Sequence, residues 1–218
     1  DFSFYSRYYG CIPIKLNTCA IYQVENALLA LTVIEELGIE ISKEAMQKGM
    51  EQCKWEGRME EILPGVYIDG AHNEDGIKAF VTTVQMDGCK GKRWLLFSTV
   101  ADKEYEVMKE ELTESELFEC IYVTPLKTAR GIAKEDLEKL LADYEVKVAE
   151  EDSENLKITK RQIRISDGAY QGLQEILSLK KEEDYVYVTG SLYLVGEIID
   201  VLEKKRKDGY VVLNSSFR

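Results

Sequence analysis

After residue 57 this chain alternates short apolar strands with amphipathic helices, and this alternation limits the possible folds more than any other feature of the sequence. The predicted strands are 59–63, 66–69, 94–100, 120–124, 146–149 and 185–189, and the predicted helices are 74–86, 103–112, 133–143, 167–180 and 192–205. Such an order is typical of an α/β fold with a Rossmann-like, mostly parallel, doubly wound sheet. The Lys- and Arg-rich segment 155–165 predicts only an irregular strand or a surface excursion, and the tail at 209–213 either an edge strand or a loose end.

The first 56 residues have a different pattern. Two short strands within 2–16 predict a hairpin, apolar residues at helical spacing predict a helix over 20–37, and Ser42 is placed to cap a second helix. A hairpin and two helices bury little apolar surface by themselves. We therefore expect residues 1–56 to be the end of one domain and residues 57–218 to form another. The first residue, Asp1, is not an initiator, which favours a piece of a longer protein.

The composition is that of an acidic globular protein. The net charge of -12 argues against a nucleic-acid partner but leaves room for a nucleotide held by a few local cations. The five cysteines form no C-x-x-C pair, which favours reduced thiols in a cytoplasmic protein over a disulfide framework or a zinc site. No apolar run approaches the length that spans a membrane, so we expect no membrane partner.

The predicted corner between the strand 66–69 and the helix that follows it carries the clearest candidate site. Asp69 ends the strand, and His72, the single histidine of the chain, follows within three residues. Ligands of open α/β sheets gather at such corners. Gly70 and Ala71 allow a ligand to approach the backbone closely. The alternative is purely structural, with Asp69 and Asn73 capping the helix and His72 an ordinary surface residue.

The other predicted strand ends carry no established phosphate-binding sequence. The chain contains neither G-x-x-x-x-G-K-[ST] nor a G-x-G-x-x-G after a strand. The corner Thr189-Gly190-Ser191 precedes a helix, so its N–H groups and the Ser191 hydroxyl could bind a carboxylate or phosphate. A plain helix cap at Ser191 explains the same residues equally well.

Five stretches together resemble folylpolyglutamate synthases in order and spacing, across nearly the whole chain. They are Tyr22-Gln23-Val24-Glu25-Asn26-Ala27, Trp55-Glu56-Gly57-Arg58, Asp69-Gly70-Ala71-His72-Asn73, Ala101-Asp102-Lys103 and Thr189-Gly190-Ser191-Leu192-Tyr193-Leu194-Val195-Gly196-Glu197. The resemblance implies the C-terminal domain of a Mur-type ligase, preceded by the last part of the central ATPase domain. Three positions depart from the usual family pattern: Tyr22 in place of histidine, Glu74 in place of proline, and Ser98-Thr99 in place of Phe-Gly.

The resemblance also implies roles for individual residues. By this likeness Asn26 contacts the nucleotide base, Arg58 the ATP phosphates and Asp69 the ribose. His72 lies near the point where the incoming glutamate meets the acyl phosphate, and Ser191 is a weaker candidate for the glutamate pocket. The phosphate loop and the magnesium ligands are expected in an N-terminal portion outside this chain, so no metal ligand is predicted here.

The implied activity is an ATP- and Mg²⁺-dependent ligation. The γ-carboxylate of folate or a tetrahydrofolyl-polyglutamate is phosphorylated, and the amine of L-glutamate then displaces phosphate. We expect the chain alone to be inactive and the parent protein to be a monomer. Two alternatives remain at this point: a Mur-type amino-acid ligase of cell-wall synthesis, and a non-catalytic binding module with the same fold.

Overall fold

A computed structural model describes residues 1–100, 105–139 and 162–207. The strands are β1 Phe2–Ser6, β2 Gly10–Ile14, β3 Arg58–Leu63, β4 Val66–Asp69, β5 Arg93–Phe97, β6 Cys120–Val123, β7 Gln162–Ile165 and β8 Tyr185–Thr189. The helices are α1 Tyr22–Glu36, α2 Lys43–Gln52, α3 Glu74–Gln85, α4 Tyr105–Glu114, α5 (described over 134–139), α6 Ala169–Leu179 and α7 Leu192–Lys207. In these ranges no helix is long and apolar enough to cross a membrane.

Strands β3 to β8 form a six-stranded sheet in the order β3-β4-β8-β5-β6-β7. The pair β3–β4 is antiparallel, and the other four pairs, β4–β8, β8–β5, β5–β6 and β6–β7, are parallel. The predicted mostly parallel α/β sheet is thus confirmed. The predicted strand at 146–149, the loop 101–103 and the tail at 209–213 lie outside the described residues.

Helices cover both faces of the sheet because successive strand residues point to opposite sides. In β5, Trp94 and Leu96 face a core formed with α6 and α7, whereas Leu95 and Phe97 face a core formed with α3 and α4. The near-continuous apolar sequence of the central strands reflects this burial on two sides. Because β4, β8 and β5 run parallel, their carboxyl ends lie together at one edge of the sheet, where the candidate site lies.

Of the two alternatives predicted for segment 155–165, a strand is present over the part that the structure describes, but the predicted irregularity was wrong. Residues Gln162–Ile165 form a regular strand, β7, with parallel register to all of β6. Ile163 and Ile165 pack against the α3–α4 core, while Arg164 is exposed and contacts the hydroxyl of Tyr122. β7 does alternate apolar and polar residues as a strand should, but the basic residues around it make so short a strand hard to recognise in the sequence.

The hairpin β1–β2 packs with α1 and α2 around a small core of its own. Its buried members are Phe4, Ile12, Ile14, Leu31 and Met46. The predicted cap is present, since Ser42 Oγ accepts a hydrogen bond from Ala45 N at 3.2 Å. The segment that leads into α1 contacts the rest of the chain: Ala20 belongs to the α3–α4 core, and Ile21 N donates to Thr83 Oγ1 on α3.

A buried carboxylate, Asp184, ties together the loops at the amino end of the sheet. It accepts hydrogen bonds from Lys92 N at 2.8 Å, Lys181 N at 3.0 Å and Trp94 Nε1 at 3.2 Å. Burial raises the pKa of Asp184, but these hydrogen bonds outweigh it, so the pKa is lowered overall. The ionised form therefore stabilises the fold.

We expect Asp184→Asn to lower the free energy of unfolding at pH 7 by about 1–3 kcal/mol, because one buried N–H donor loses its acceptor. The stabilisation is complete above the ordinary carboxyl pKa near 4 and is lost as pH falls through the depressed folded-state pKa. The difference in free energy of unfolding between wild type and variant should therefore become smaller below about pH 4. Urea unfolding at pH 7 and pH 3.5 measures this difference in free energy of unfolding, with the exposed Asp200→Asn as control. A difference that is larger at pH 3.5 than at pH 7 would contradict the role of the ionised Asp184.

Candidate functional site

An open cleft of about 1360 Å³ lies between α1 and the segment that leads into β3. Asn26 lines it from α1, and Trp55 and Arg58 line it from the connecting segment. The structure therefore brings Asn26 and Arg58 to one cavity although 32 positions separate them in sequence. Its walls carry amide, guanidinium and aromatic groups, which suit a nucleotide, together with the carboxylates of Glu56, Glu60 and Glu61.

Asn26 is on the exposed face of α1. Its Nδ2 donates to Gln23 Oε1 at 2.9 Å, and both residues line the cleft. The neighbouring Ala27 and the more distant Leu31 of the same helix are buried. The amide pair is thus solvated and keeps one carbonyl and unused N–H groups for a ligand.

Arg58 begins β3 and lies directly across the sheet ladder from Asp69. Its guanidinium is half-buried, and within the described part of the chain it makes neither a hydrogen bond nor an ion pair. A Cβ added to Gly70 would stand 2.7 Å from Leu192 Cδ2, so glycine allows the end of β4 to pack closely against the start of α7. An arginine without a protein partner at a cleft is available to an anion.

Asp69 is 1% exposed and is held by three donors. Its Oδ1 accepts from Ala71 N at 2.8 Å, and its Oδ2 accepts from Met59 N at 3.0 Å and from the Tyr22 hydroxyl at 2.6 Å. The carboxylate thereby joins the start of α1, the start of β3 and the end of β4. Three of its roughly four acceptor positions are occupied by the protein.

Burial raises the pKa of Asp69, while the hydrogen bonds from Tyr22, Ala71 and Met59 and the charge of Arg58 act against that rise. Burial and the adjacent Asp69 charge raise the pKa of the Tyr22 phenol well above its usual value. The shared hydrogen therefore stays on Tyr22, which donates to the carboxylate.

The Gly57-Arg58-Met59 turn has an unusual backbone. Met59 has φ of 47°, a left-handed conformation that costs a side-chain-bearing residue about 1 kcal/mol or more. It coincides with a register shift between Arg58 and Glu60 in the β3–β4 ladder. The strained turn aims Met59 N at Asp69 and, one residue earlier, sends the Arg58 side chain toward the cleft. Strain of this kind is often retained at functional sites.

His72 is half-buried just beyond β4. Its Nδ1 lies 2.8 Å from Gly70 O, and because a carbonyl only accepts, Nδ1 must carry the hydrogen. In the tautomer with the hydrogen on Nδ1, Nε2 is the acceptor nitrogen. The next residue caps α3, since Asn73 Oδ1 accepts from Gly76 N at 2.9 Å. Asn73 therefore caps α3, whereas the ring of His72 is oriented by the carbonyl of Gly70.

Ser191 caps α7: its Oγ accepts from Tyr193 N at 3.2 Å, and the residue is 3% exposed. The preceding Gly190 donates from its N to Ala71 O at 3.0 Å, which joins the β8 corner to the β4 corner. Ser191 therefore caps the helix, as one of its two predicted roles requires. Its hydroxyl hydrogen remains available to a further acceptor.

The predicted site residues fall into three positions. Asn26 and Arg58 line the cleft, Asp69 lies behind it in the protein interior, and His72 and Ser191 flank the joined β4 and β8 corners. Sequence reasoning missed the contact between Tyr22 and Asp69 and the strained Met59. Tyr22 precedes Asn26 by one helical turn, a spacing that could have indicated a shared face. No sequence signal marks the Met59 conformation.

We expect Tyr22→Phe to lower the free energy of unfolding by about 1 kcal/mol, because Asp69 loses one of its hydrogen bonds. Tyr8→Phe is the matched control, since the Tyr8 side chain is exposed on the β1–β2 turn. Urea unfolding monitored by circular dichroism measures both. Equal stability of the two variants would mean that the Tyr22 hydroxyl does not support Asp69.

The family model described as "Mur ligase, glutamate ligase domain" matches residues 57–192, more than half of the chain. The chain belongs to this family. The glutamate ligase domain thus includes Arg58, Asp69, His72 and Ser191, whereas Asn26 lies before the match.

Curated relatives extend the likeness beyond the glutamate ligase domain. A dihydrofolate synthase/folylpolyglutamate synthase of Bacillus subtilis is 27% identical over 204 residues, covering 91% of this chain and 43% of the relative. A folylpolyglutamate synthase of Lacticaseibacillus casei is 24% identical, covering 83% of this chain and 38% of the relative. The chain therefore spans about two fifths of the length of these relatives.

Solved structures show the same fold. E. coli FolC in complex with ADP superposes with a TM-score of 0.74 at 21% identity, covering 93% of this chain and 44% of that chain. A bifunctional folylpolyglutamate synthase/dihydrofolate synthase with Mn, AMPPNP and L-glutamate bound superposes with a TM-score of 0.70 at 20% identity, covering 88% and 41%. The fold of this chain is thus that of the corresponding part of these two structures.

Proposed function

We propose that this chain is the C-terminal part of an ATP-dependent folylpolyglutamate synthase. The complete enzyme would phosphorylate the γ-carboxylate of a folate or folyl-polyglutamate and let the amine of L-glutamate displace phosphate. The family, the names of the curated relatives and the ligands named for the solved structures support this proposal. Forming an acyl phosphate makes a carboxylate oxygen a good leaving group, and holding both reactants in one site makes the attack effectively unimolecular.

The observation that carries the proposal is the cleft shared by Asn26 and Arg58. In the proposed complex, the Asn26 amide binds the nucleotide base, and the Arg58 guanidinium stabilises charge on the transferring phosphoryl group. The exposure of Asn26 and the half-buried, unpaired state of Arg58 in the described chain fit these tasks. A solvated amide gives base contacts, and a partly desolvated cation binds phosphate more strongly.

The proposed ribose contact of Asp69 requires a local rearrangement. Its carboxylate is almost fully enclosed, and Tyr22 occupies the side that faces α1. Rotation of the Tyr22 side chain about its Cα–Cβ bond would free an acceptor on Oδ2 for ribose hydroxyls while Met59 N and Ala71 N continue to hold the group. Nucleotide binding and the contact between α1 and β4 would then be coupled.

His72 and Ser191 are proposed on the glutamate side. The His72 ring is held through Nδ1, and with the hydrogen on that nitrogen Nε2 can accept a hydrogen bond from the glutamate ammonium. Ser191 can donate its hydroxyl hydrogen to a carboxylate near the start of α7, where the helix dipole also favours negative charge. In this proposal His72 and Ser191 bind L-glutamate and orient its amine, which is the nucleophile.

We further propose that residues 1–56 are the end of an ATPase domain and that residues 57–218 form the glutamate ligase domain, with Trp55 to Arg58 as the hinge. The described residues contain no group of three or more His, Cys, Asp or Glu side chains placed to hold a metal ion. The proposal places the Mg²⁺ ligands in another part of the enzyme because the resemblance to folylpolyglutamate synthases implies it.

The test is ADP release by the full-length protein that carries this chain, with one substrate omitted at a time. We expect turnover only with ATP, Mg²⁺, a folate and L-glutamate together, and a product lengthened by one glutamate in mass spectrometry. Turnover with a sugar-nucleotide peptide instead of folate would establish a Mur-type cell-wall ligase. Absence of ATP consumption with every acceptor would establish a non-catalytic module.

A further inference from the structure

Trp55 is the most exposed aromatic residue on the walls of the cleft. Its side chain is 70% exposed, in the segment between α2 and β3. The chain has two tryptophans, and the other, Trp94, is 8% exposed and bonded to Asp184. A large indole left in water at a cavity loses the stabilisation that burial would give it. Its position is therefore better suited to covering a ligand than to stabilising the fold.

The surroundings of Trp55 indicate which part of a ligand it would cover. Arg58 follows three residues later, a separation of at most about 10 Å along the chain. Asn26 and Gln23 present their amides from the α1 side of the same cleft. A flat aromatic face, hydrogen-bonding amides and a guanidinium thus border one cavity. These are the groups that stack on a base, bond to its edge and bind its phosphates.

We propose that the indole of Trp55 stacks on the nucleobase of the bound nucleotide while Asn26 bonds to the edge of that base. This inference rests on the proposed function, because it assumes that the nucleotide binds in this cleft. The division of labour has a specific consequence. Stacking tolerates any base because every base has a π-face, whereas hydrogen bonds to the base edge discriminate. Trp55 supplies affinity, and Asn26 supplies the preference for adenine.

The first arm of the test measures nucleotide affinity in the full-length protein. We expect Trp55→Ala to weaken ADP binding by about 5- to 150-fold, the range that stacking of one base provides. Trp55→Phe keeps an aromatic face, and its affinity should stay within about threefold of wild type. Tyr8→Ala removes an equally exposed aromatic from the β1–β2 turn and should leave ADP affinity unchanged.

The second arm separates base from phosphate contacts. Trp55→Ala should weaken ADP and GDP by the same factor and leave binding of inorganic tripolyphosphate unchanged, because tripolyphosphate has no base. Asn26→Ala should reduce the preference for ADP over GDP, and Arg58→Ala should weaken all three ligands. If Asn26→Ala and Arg58→Ala behave in this way but Trp55→Ala binds ADP like wild type, the stacking inference fails while the proposed nucleotide site stands.

The third arm is spectroscopic and follows the indole directly. Addition of ADP should change tryptophan emission, and the change should disappear in Trp55→Phe although that variant still binds ADP. An identical change in wild type and Trp55→Phe would overturn the inference. If wild type binds neither ADP nor ATP in the full-length protein, the proposed function itself fails, a result that the first two arms identify before any fluorescence is read.

Discussion

Replacing Arg58 with alanine is expected to lower kcat/KM of the full-length protein by about 10³-fold, with most of the loss in kcat. In the proposed reaction this guanidinium stabilises charge that develops on the transferring phosphoryl group. It has no hydrogen-bonding partner within the described residues, so its removal leaves no protein donor or acceptor unsatisfied. The fold should therefore be retained while the chemistry is lost.

Two controls make the Arg58 result interpretable. Arg58→Lys keeps the charge but loses the forked geometry, and it should recover only part of the activity. Arg7→Ala removes an exposed arginine whose ion-pair partner is Glu36, and it should leave kcat/KM unchanged. Steady-state ADP release and the urea unfolding midpoint are measured for each variant. An Arg58→Ala enzyme within threefold of wild type would remove Arg58 from the proposed mechanism.

Gly190→Ala is expected to lower the free energy of unfolding by about 3 kcal/mol or more. Gly190 has φ of +102°, which favours glycine, and an added Cβ would stand 2.3 Å from the Phe97 ring and 2.4 Å from Ser98 O. The clash therefore involves both a core aromatic and rigid backbone. The same residue donates to Ala71 O, so any shift would also displace the corner that carries His72.

The matched control is Gly49→Ala in the middle of α2. An added Cβ there meets nothing within 4 Å, and the helix gains from replacement of glycine. We expect a stabilisation of about 0.5–1 kcal/mol. Urea unfolding of both variants gives the comparison, and a Gly190→Ala protein as stable as wild type would show that the joined β4 and β8 corners are not rigid.

The fold could be predicted from the sequence where local patterns and tertiary burial agree. Strand β4 and helix α3 are examples: an apolar run ends at Asp69, and Asn73 then caps the helix. The regular strand within segment 155–165 was not predicted because β7 is short and carries Arg164 between its two apolar residues. Its pairing with β6 is long-range, and local composition does not report it.

The sequence supplied candidate residues for the site but could not supply their contacts. The motif resemblance identified Asn26 and Arg58, and the structure places both in one cleft. The enclosure of Asp69 by Tyr22 and Met59 depends on how α1, β3 and β4 meet. The left-handed Met59 is a conformation that a methionine in sequence does not signal, because neighbouring structure imposes it.

The most direct test of the proposed ligase follows oxygen from a folate labelled with ¹⁸O in its γ-carboxylate. If the full-length enzyme forms an acyl phosphate that glutamate attacks, one labelled oxygen leaves with each phosphate released, and mass spectrometry of the phosphate detects it. This account predicts labelled phosphate that requires ATP, folate and L-glutamate. Unlabelled phosphate from an enzyme that still lengthens folate would contradict the acyl-phosphate mechanism, and no phosphate at all would contradict the assignment as a folate ligase.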